Sequence, residues 1–194
     1  RLATKLKFVA GLATAIAQSI AVDAYLHVQQ KLGELYMLAD TVDALLHAAE
    51  TEGTVEGGVY KPKAVPLQAA RHLGTQAYAR AMAILKEIGA GGYTQLPSTL
   101  IDRFEDGRIR TLLHRYYAGA AASAGEKTAW FRLGWELIGS EIGSRHDLYE
   151  RFYTGDPLRN QSLFFEQYDK KWMEERLDTF LDRVTTGARQ DVTV

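Results

Sequence analysis

The sequence contains no cysteine in its 194 residues. That excludes disulfides, thiolate metal sites and cysteine nucleophiles from this chain. It is also compatible with a reducing compartment such as the cytoplasm. An excess of charge of either sign is equally lacking. There are 23 Lys and Arg against 24 Asp and Glu, a formal net charge of −1, so no global field recruits nucleic acid or an anionic membrane. The apolar stretch from Phe8 to Val22 is interrupted by Gln18 and Ser19. It falls short of a membrane span and lacks the basic start and cleavage site of a signal peptide. We see no alternating run of useful strand length and no internal repeat. No pair among His27, His47, His72, His114 and His146 has metal-ligand spacing with supporting carboxylates, and no metal is expected. A phosphate-binding glycine motif after a strand and a nucleophile elbow are both missing.

What is present is helical spacing. Hydrophobic residues make up 46% and charged residues 24%, the balance of a globular domain long enough to bury a core without staples. From Leu2 to Val22 apolar residues recur at three- and four-residue steps, and a second such segment runs from Val22 to Glu50. Gly53, Gly57 and Gly58 then predict a loop. A third helix fits Leu67 to Ile88, stopped by Gly89, Gly91 and Gly92. A fourth is expected over Thr99 to Tyr117, weakened by Gly107. Ser123 with Glu126 reads as a capping box opening a fifth helix, which ends at Gly139. A helix from Ser144 to Phe152, a turn at Gly155-Asp156-Pro157 and a last helix from Phe164 to Val184 complete the pattern, ahead of a polar tail expected to fray. Long helices joined by short glycine turns predict an all-α antiparallel bundle. The chain opens on Arg1 inside a helical pattern, which leads us to expect an upstream segment.

Three pieces between His114 and Asn160 stand out. Tyr116-Tyr117-Ala118-Gly119 ends a helix. Phe131 to Ser140 (FRLGWELIGS) runs into a turn. Ile142-Gly143-Ser144-Arg145 leads to Leu148-Tyr149-Glu150-Arg151-Phe152-Tyr153 and then Gly155-Asp156-Pro157. Upstream lie Ile88-Gly89-Ala90-Gly91-Gly92, Leu96-Pro97-Ser98, Lys5-Leu6-Lys7-Phe8 and Gly11-Leu12-Ala13. In this order they are similar to the 4-hydroxyphenylacetate 3-hydroxylase oxygenase family, over about residues 1 to 163. Ile142 departs from the family, which more often has an aromatic residue there.

The resemblance implies an acyl-CoA-dehydrogenase-like architecture, of which this chain matches only the C-terminal four-helix bundle, residues 1–163, with residues 164–194 as a C-terminal helix and tail. It implies a homotetramer, a separate flavin reductase, reduced FAD (FADH2) as cofactor and a phenolic substrate hydroxylated beside its hydroxyl. The substrate-binding and acid-base groups would lie in N-terminal and middle domains, so no catalytic residue is expected here. Two other readings stay open: a hydroxyacyl-CoA dehydratase on the same scaffold, whose iron-sulfur cluster this cysteine-free chain cannot hold alone, and a non-catalytic oligomerisation module.

The candidate cofactor contacts are Gly139, Ser140, Ile142, Gly143, Ser144 and Arg145. Glycine lets backbone approach a planar ligand. Ser144 is expected to cap the following helix, whose free amides favour an anionic or electron-rich ligand. Arg145 adds a planar cation. The plainer alternative is a capped helix-turn-helix with a surface arginine. Tyr149 and Phe152 are expected to pack inward, with Glu150 and Arg151 in exposed or intersubunit ion pairs. Asp156 reads as a turn former. Trp130 and Trp135 are expected to divide between core and interface. Gln68 and Arg71, behind the glycine- and proline-rich loop, suggest by position a contact to a neighbouring subunit's flavin nucleotide.

Overall fold

A computed structural model gives the arrangement of residues 1–190 and of side chains through Thr186. Among the described residues are eight α-helices and one hairpin. In chain order they are α1 (Leu2–Ser19), α2 (Leu26–Thr51), β1 (Thr54–Glu56), β2 (Val59–Lys61), α3 (Ala64–Gly89), α4 (Gly107–Tyr116), α5 (Ala124–Ile138), α6 (Glu141–Phe152), α7 (Pro157–Gln167) and α8 (Lys171–Gln190). Single 3-10 turns occupy Ala90–Gly92 and Ile101–Arg103. Two compact units divide the chain, Arg1–Asn160 and Gln161–Val194.

The first unit is the expected all-α antiparallel four-helix bundle. Its core follows from the three- and four-residue steps of α1. Leu6, Val9, Ala10, Ala13, Ile16 and Ala17 are all buried, because they face α2, α3 and α5 at once. Leu35, Ala39 and Val42 from α2, Tyr78, Ala81, Ile84 and Leu85 from α3, and Phe131 from α5 close the same cluster. α6 then packs on α3 and α5. Outside the core, α2 and α3 are stitched by Arg80, whose Nε and Nη2 donate to Glu34 at 2.5 and 2.7 Å, and by an ion pair between Lys31 and Glu87.

The structure corrects the expected boundaries in three places. The loop at Gly53–Gly58 contains an antiparallel hairpin, with Val55 opposite Tyr60. Gly57 and Gly58 have φ of 59° and 77°, the pair of positive values that a tight two-residue hairpin turn requires. Three exposed residues per strand leave no readable alternation. α4 begins at Gly107 rather than Thr99, because the Asp106 carboxylate accepts from the amides of Arg108 and Ile109. The last predicted helix is two helices. Lys170 Nζ donates to the carbonyl of Phe165 at 2.6 Å, and Asp169 Oδ1 accepts from the amide of Lys171 at 3.2 Å, so the chain stops one helix and starts another within Tyr168–Lys170. α8 continues to Gln190, through residues expected to fray; the last four of that predicted tail, 191–194, lie outside the described residues.

The capping box is present as predicted. Ser123 Oγ accepts from the Glu126 amide at 3.2 Å and the Glu126 carboxylate accepts from the Ser123 amide at 2.9 Å. Ser123→Ala should lower the thermal midpoint by about 2–4 °C; an unchanged midpoint would show the cap to be idle. Buried tyrosines make a second expectation. Burial, and then the carboxylates of Glu150 and Asp147, push the Tyr78 hydroxyl up to about 12. Burial also raises Tyr93 and Tyr117. The fold therefore favours neutral tyrosine. This contribution is intact below pH 10, where unfolded tyrosine is also neutral, and is lost as pH climbs from 10 towards 12. Thermal midpoints across that range should fall, and less steeply in Tyr78→Phe.

Candidate functional site

The predicted site falls on the connection between α5 and α6. The amides of Gly139 and Ser140 both donate to the carbonyl of Trp135, at 2.8 and 3.1 Å. Ser140 Oγ donates to the Glu136 carbonyl at 2.6 Å and accepts from the Gly143 amide at 3.0 Å. Ser140 is thus the cap of α6. The expectation that Ser144 caps this helix is overturned: Ser144 lies in its first turn and donates Oγ to the Ser140 carbonyl at 3.0 Å. The cap takes the amide of Gly143, and the amides of Glu141 and Ile142 have no carbonyl to reach within the helix.

Gly143 is buried because α6 begins directly on the end of α5. A Cβ at this position would stand 2.4 Å from the Leu137 carbonyl oxygen and 2.5 Å from that of Glu136. Ile142 points outward and is 75% exposed. Arg145 donates to Glu141 at 2.6 Å, one turn back, and both side chains are exposed. Its charge is therefore shared with a carboxylate before any ligand arrives.

Beside the turn lies a cleft of about 410 Å³, a size that suits a small-molecule ligand. Gly143 and Ser144 form one side with Leu148 and Arg151, while Ala79, Ala83 and Lys86 of α3 form the other. The alanines leave room between two helices. Two cations stand at the polar part of the cleft, Arg151 already paired with Asp147 at 3.1 Å.

Glu150 corrects the reading of α6. It is buried, at 2% exposure, whereas Phe152 is 57% and Tyr149 42% exposed. The burial is tolerated because Lys5 of α1 donates to its carboxylate and His146 Nε2 lies 3.4 Å away. Tyr149 instead stacks between His146 and Tyr153, with ring centroids 6.0 and 5.4 Å apart, and Arg1 donates to its hydroxyl. Local sequence does not show this burial, because the partner lies 145 positions away in the chain. The available signal was Lys5 itself, a cation bordering the buried residues Leu2, Leu6 and Val9.

Other candidates separate. Trp130 and Trp135 are 41% and 39% exposed, so neither enters the core. The buried face of α5 is Ala124, Thr128, Phe131 and Gly134, and no tryptophan falls on it. Arg71 donates to Gln68 Oε1 at 3.3 Å and to the Thr154 carbonyl at 3.5 Å, at the end of α6 remote from Ser140. Asp156 Oδ1 accepts from the Leu158 amide at 3.2 Å, as a turn former does. Among the described residues, no group of three or more His, Asp or Glu could hold a metal ion, and no helix is long and apolar enough to cross a membrane.

In fold, the four-helix bundle that carries this capped glycine-serine turn and its ligand-sized cleft resembles the C-terminal domain of acyl-CoA dehydrogenases. More narrowly, the chain belongs to the family described as "4-hydroxyphenylacetate 3-hydroxylase C terminal", whose profile matches residues 1–182. It is 36% identical over 172 residues to the 4-hydroxyphenylacetate 3-monooxygenase oxygenase component of Thermus thermophilus, covering 88% of this chain and 35% of that protein. To the probable 4-hydroxyphenylacetate 3-monooxygenase of Bacillus subtilis it is 33% identical, covering 91% of this chain and 36% of that one. It therefore spans about a third of the length of the curated relatives it matches. A crystal structure of the oxygenase component of 4-hydroxyphenylacetate 3-monooxygenase superposes with a TM-score of 0.89 at 34% identity, covering 95% of this chain and 39% of that chain. An oxygenase component complexed with FAD and 4-hydroxyphenylacetate matches with the same score and identity. An archaeal 4-hydroxybutyryl-CoA dehydratase, at 19% identity and a TM-score of 0.83, shares the fold.

Proposed function

We propose that this chain is the C-terminal domain, with residues 1–163 as bundle and 164–194 as terminal helix and tail, of a two-component monooxygenase. The whole enzyme uses reduced FAD and oxygen to hydroxylate a phenol beside its hydroxyl group. The observation that carries this reading is the family match across residues 1–182. A separate reductase supplies the reduced flavin, the assembly is a cytoplasmic homotetramer, and the enzyme's own N-terminal and middle domains carry substrate binding and most of the catalysis.

The residues present fit the cofactor. Gly143 and Ser144 line the cleft, and Gly139, Ser140, Ile142 and Arg145 adjoin them in the chain; we propose these six as the surface on which a flavin lies. The first-turn amides of α6, Arg145 and the cleft cations Lys86 and Arg151 suit its anionic parts. Ala79 and Ala83 leave a shallow floor for a flat or extended group. Bound there, reduced flavin supplies the electrons that activate oxygen. This chain's task is to hold it in one orientation and to cover one side from water, with exposed Ile142 available to be covered in turn.

Two measurements test the reading. The full-length oxygenase, given reduced FAD, oxygen and a panel of phenols, should release ortho-hydroxylated product; flavin oxidation without product across the panel would contradict it. Arg145→Ala should weaken reduced-flavin binding about fivefold in an anaerobic titration and leave the thermal midpoint unmoved. Unchanged affinity removes Arg145 from the contact set.

A further inference from the structure

Helix α4 stands apart from its neighbours in the first unit. It has no buried residue, whereas α1, α2, α3, α5 and α6 all do. Leu113 packs on Ile101, Tyr117 and Ala124, and His114 Nε2 lies 2.9 Å from Asp102 Oδ1. These contacts hold the helix to the bundle and leave its outer face uncovered. There Ile109, Leu112 and Tyr116 follow a three-four spacing that places them on one stripe, and they are 44%, 44% and 73% exposed. At 3.6 residues per turn, Arg108 and Arg115 stand two turns apart along one edge of that stripe.

Arg103 and Arg110 add two cations to the same segment, and all four arginines are exposed. None of the four has a carboxylate partner among the described residues; Arg115 lies over the Tyr116 ring at 5.3 Å. By contrast, Lys5, Lys7, Arg80 and Arg145 each hold a carboxylate. The acids beside α4 are committed as well, Asp102 to His114 and Asp106 to the first-turn amides, which leaves Glu105 against four arginines. In a chain of net charge −1, this positive excess is local.

We propose that α4 is a docking surface for an acidic amphipathic helix of another protein. An arginine fork with no carboxylate inside the chain is available to one outside it. A free anion would use the arginines and leave the apolar stripe in water. A helix with carboxylates two turns apart beside apolar side chains matches both features at once. The α4 of a second copy presents the same arginines, so like charge opposes pairing of α4 with α4. From Ile109 to Tyr116 the stripe is about 10 Å long. The contact is therefore small, of the transient class, and sensitive to salt.

The inference goes beyond the flavin reading and does not depend on it. Its probe is a fluorescein-labelled synthetic peptide of about 18 residues, long enough to form a helix, with leucines at three-four spacing and glutamates two turns apart on one edge. A second peptide has lysine in place of each glutamate. In anisotropy titrations of the chain at low salt, the glutamate peptide should bind at least about tenfold tighter than the lysine peptide. Arg108→Glu with Arg115→Glu should reverse that preference by about tenfold, an outcome that unfolding cannot produce, and leave the thermal midpoint unmoved. Leu112→Ala should weaken the glutamate peptide about threefold. Equal binding of the two peptides, or an unchanged preference in the charge-reversed protein, overturns the proposal. Phosphatidylserine vesicles bound as tightly as the glutamate peptide overturn it in favour of a lipid surface. The full-length oxygenase should bind the glutamate peptide as the chain does; loss of binding there would mean that the enzyme's own domains cover α4, and overturns it too.

Discussion

Gly143→Ala is expected to cost the fold about 3 kcal/mol, lowering the thermal midpoint by about 6–12 °C. The methyl group would stand 2.4 and 2.5 Å from two main-chain oxygens, those of Leu137 and Glu136. Side chains rotate away from such contacts; carbonyls at a helix end move only if the helix moves. The last turn of α5 would have to separate from the first turn of α6, taking with it the Ser140 hydroxyl, which bridges the Glu136 carbonyl and the Gly143 amide. Gly11→Ala is the matched control. It lies within α1, has no neighbour within 4 Å, and should gain about 0.5–1 kcal/mol from helix propensity. Calorimetry on the two proteins reads both effects. Equal midpoints would mean that α5 and α6 do not meet as closely as described.

The second large effect belongs to Lys5. Lys5→Met leaves the Glu150 carboxylate, 3% exposed, without its ammonium partner, and breaking a buried pair from one side should destabilise by about 3 kcal/mol. Glu150→Met alone should cost less, because the Lys5 side chain is 28% exposed and can turn towards water. Combining the two replaces an ion pair by apolar groups of similar volume and should recover most of the loss. Urea unfolding of the four proteins gives the coupling directly. Strictly additive losses would show that Lys5 and Glu150 do not stabilise each other.

How much of this was legible in the sequence depends on how local the determinant is. The Ser123–Glu126 cap, the stop at Gly89 and the buried face of α1 were readable because each is set by residues within a turn or two. The hairpin was not, since three-residue strands show no periodicity. Ser140 and Ser144 sit one helical turn apart, and only the position of α5 decides which one starts the next helix. Glu150 was misplaced for a different reason: a glutamate is assigned to the surface unless its cation is known, and Lys5 meets it through tertiary packing alone. At the candidate site, the residues were nameable from motif order. The cleft beside them was not, because α3 contributes Ala79, Ala83 and Lys86 from more than fifty positions upstream.

The elbow between α5 and α6 also bears on time scales. Hinges work where a few residues can absorb a change in φ and ψ. Here Gly139 and Ser140 share one acceptor, Ser140 is held from both sides, and Gly143 is pressed against carbonyls. A joint held at all these points has little φ and ψ freedom to offer as a hinge. On the contacts proposed above, a flavin would meet this elbow already formed.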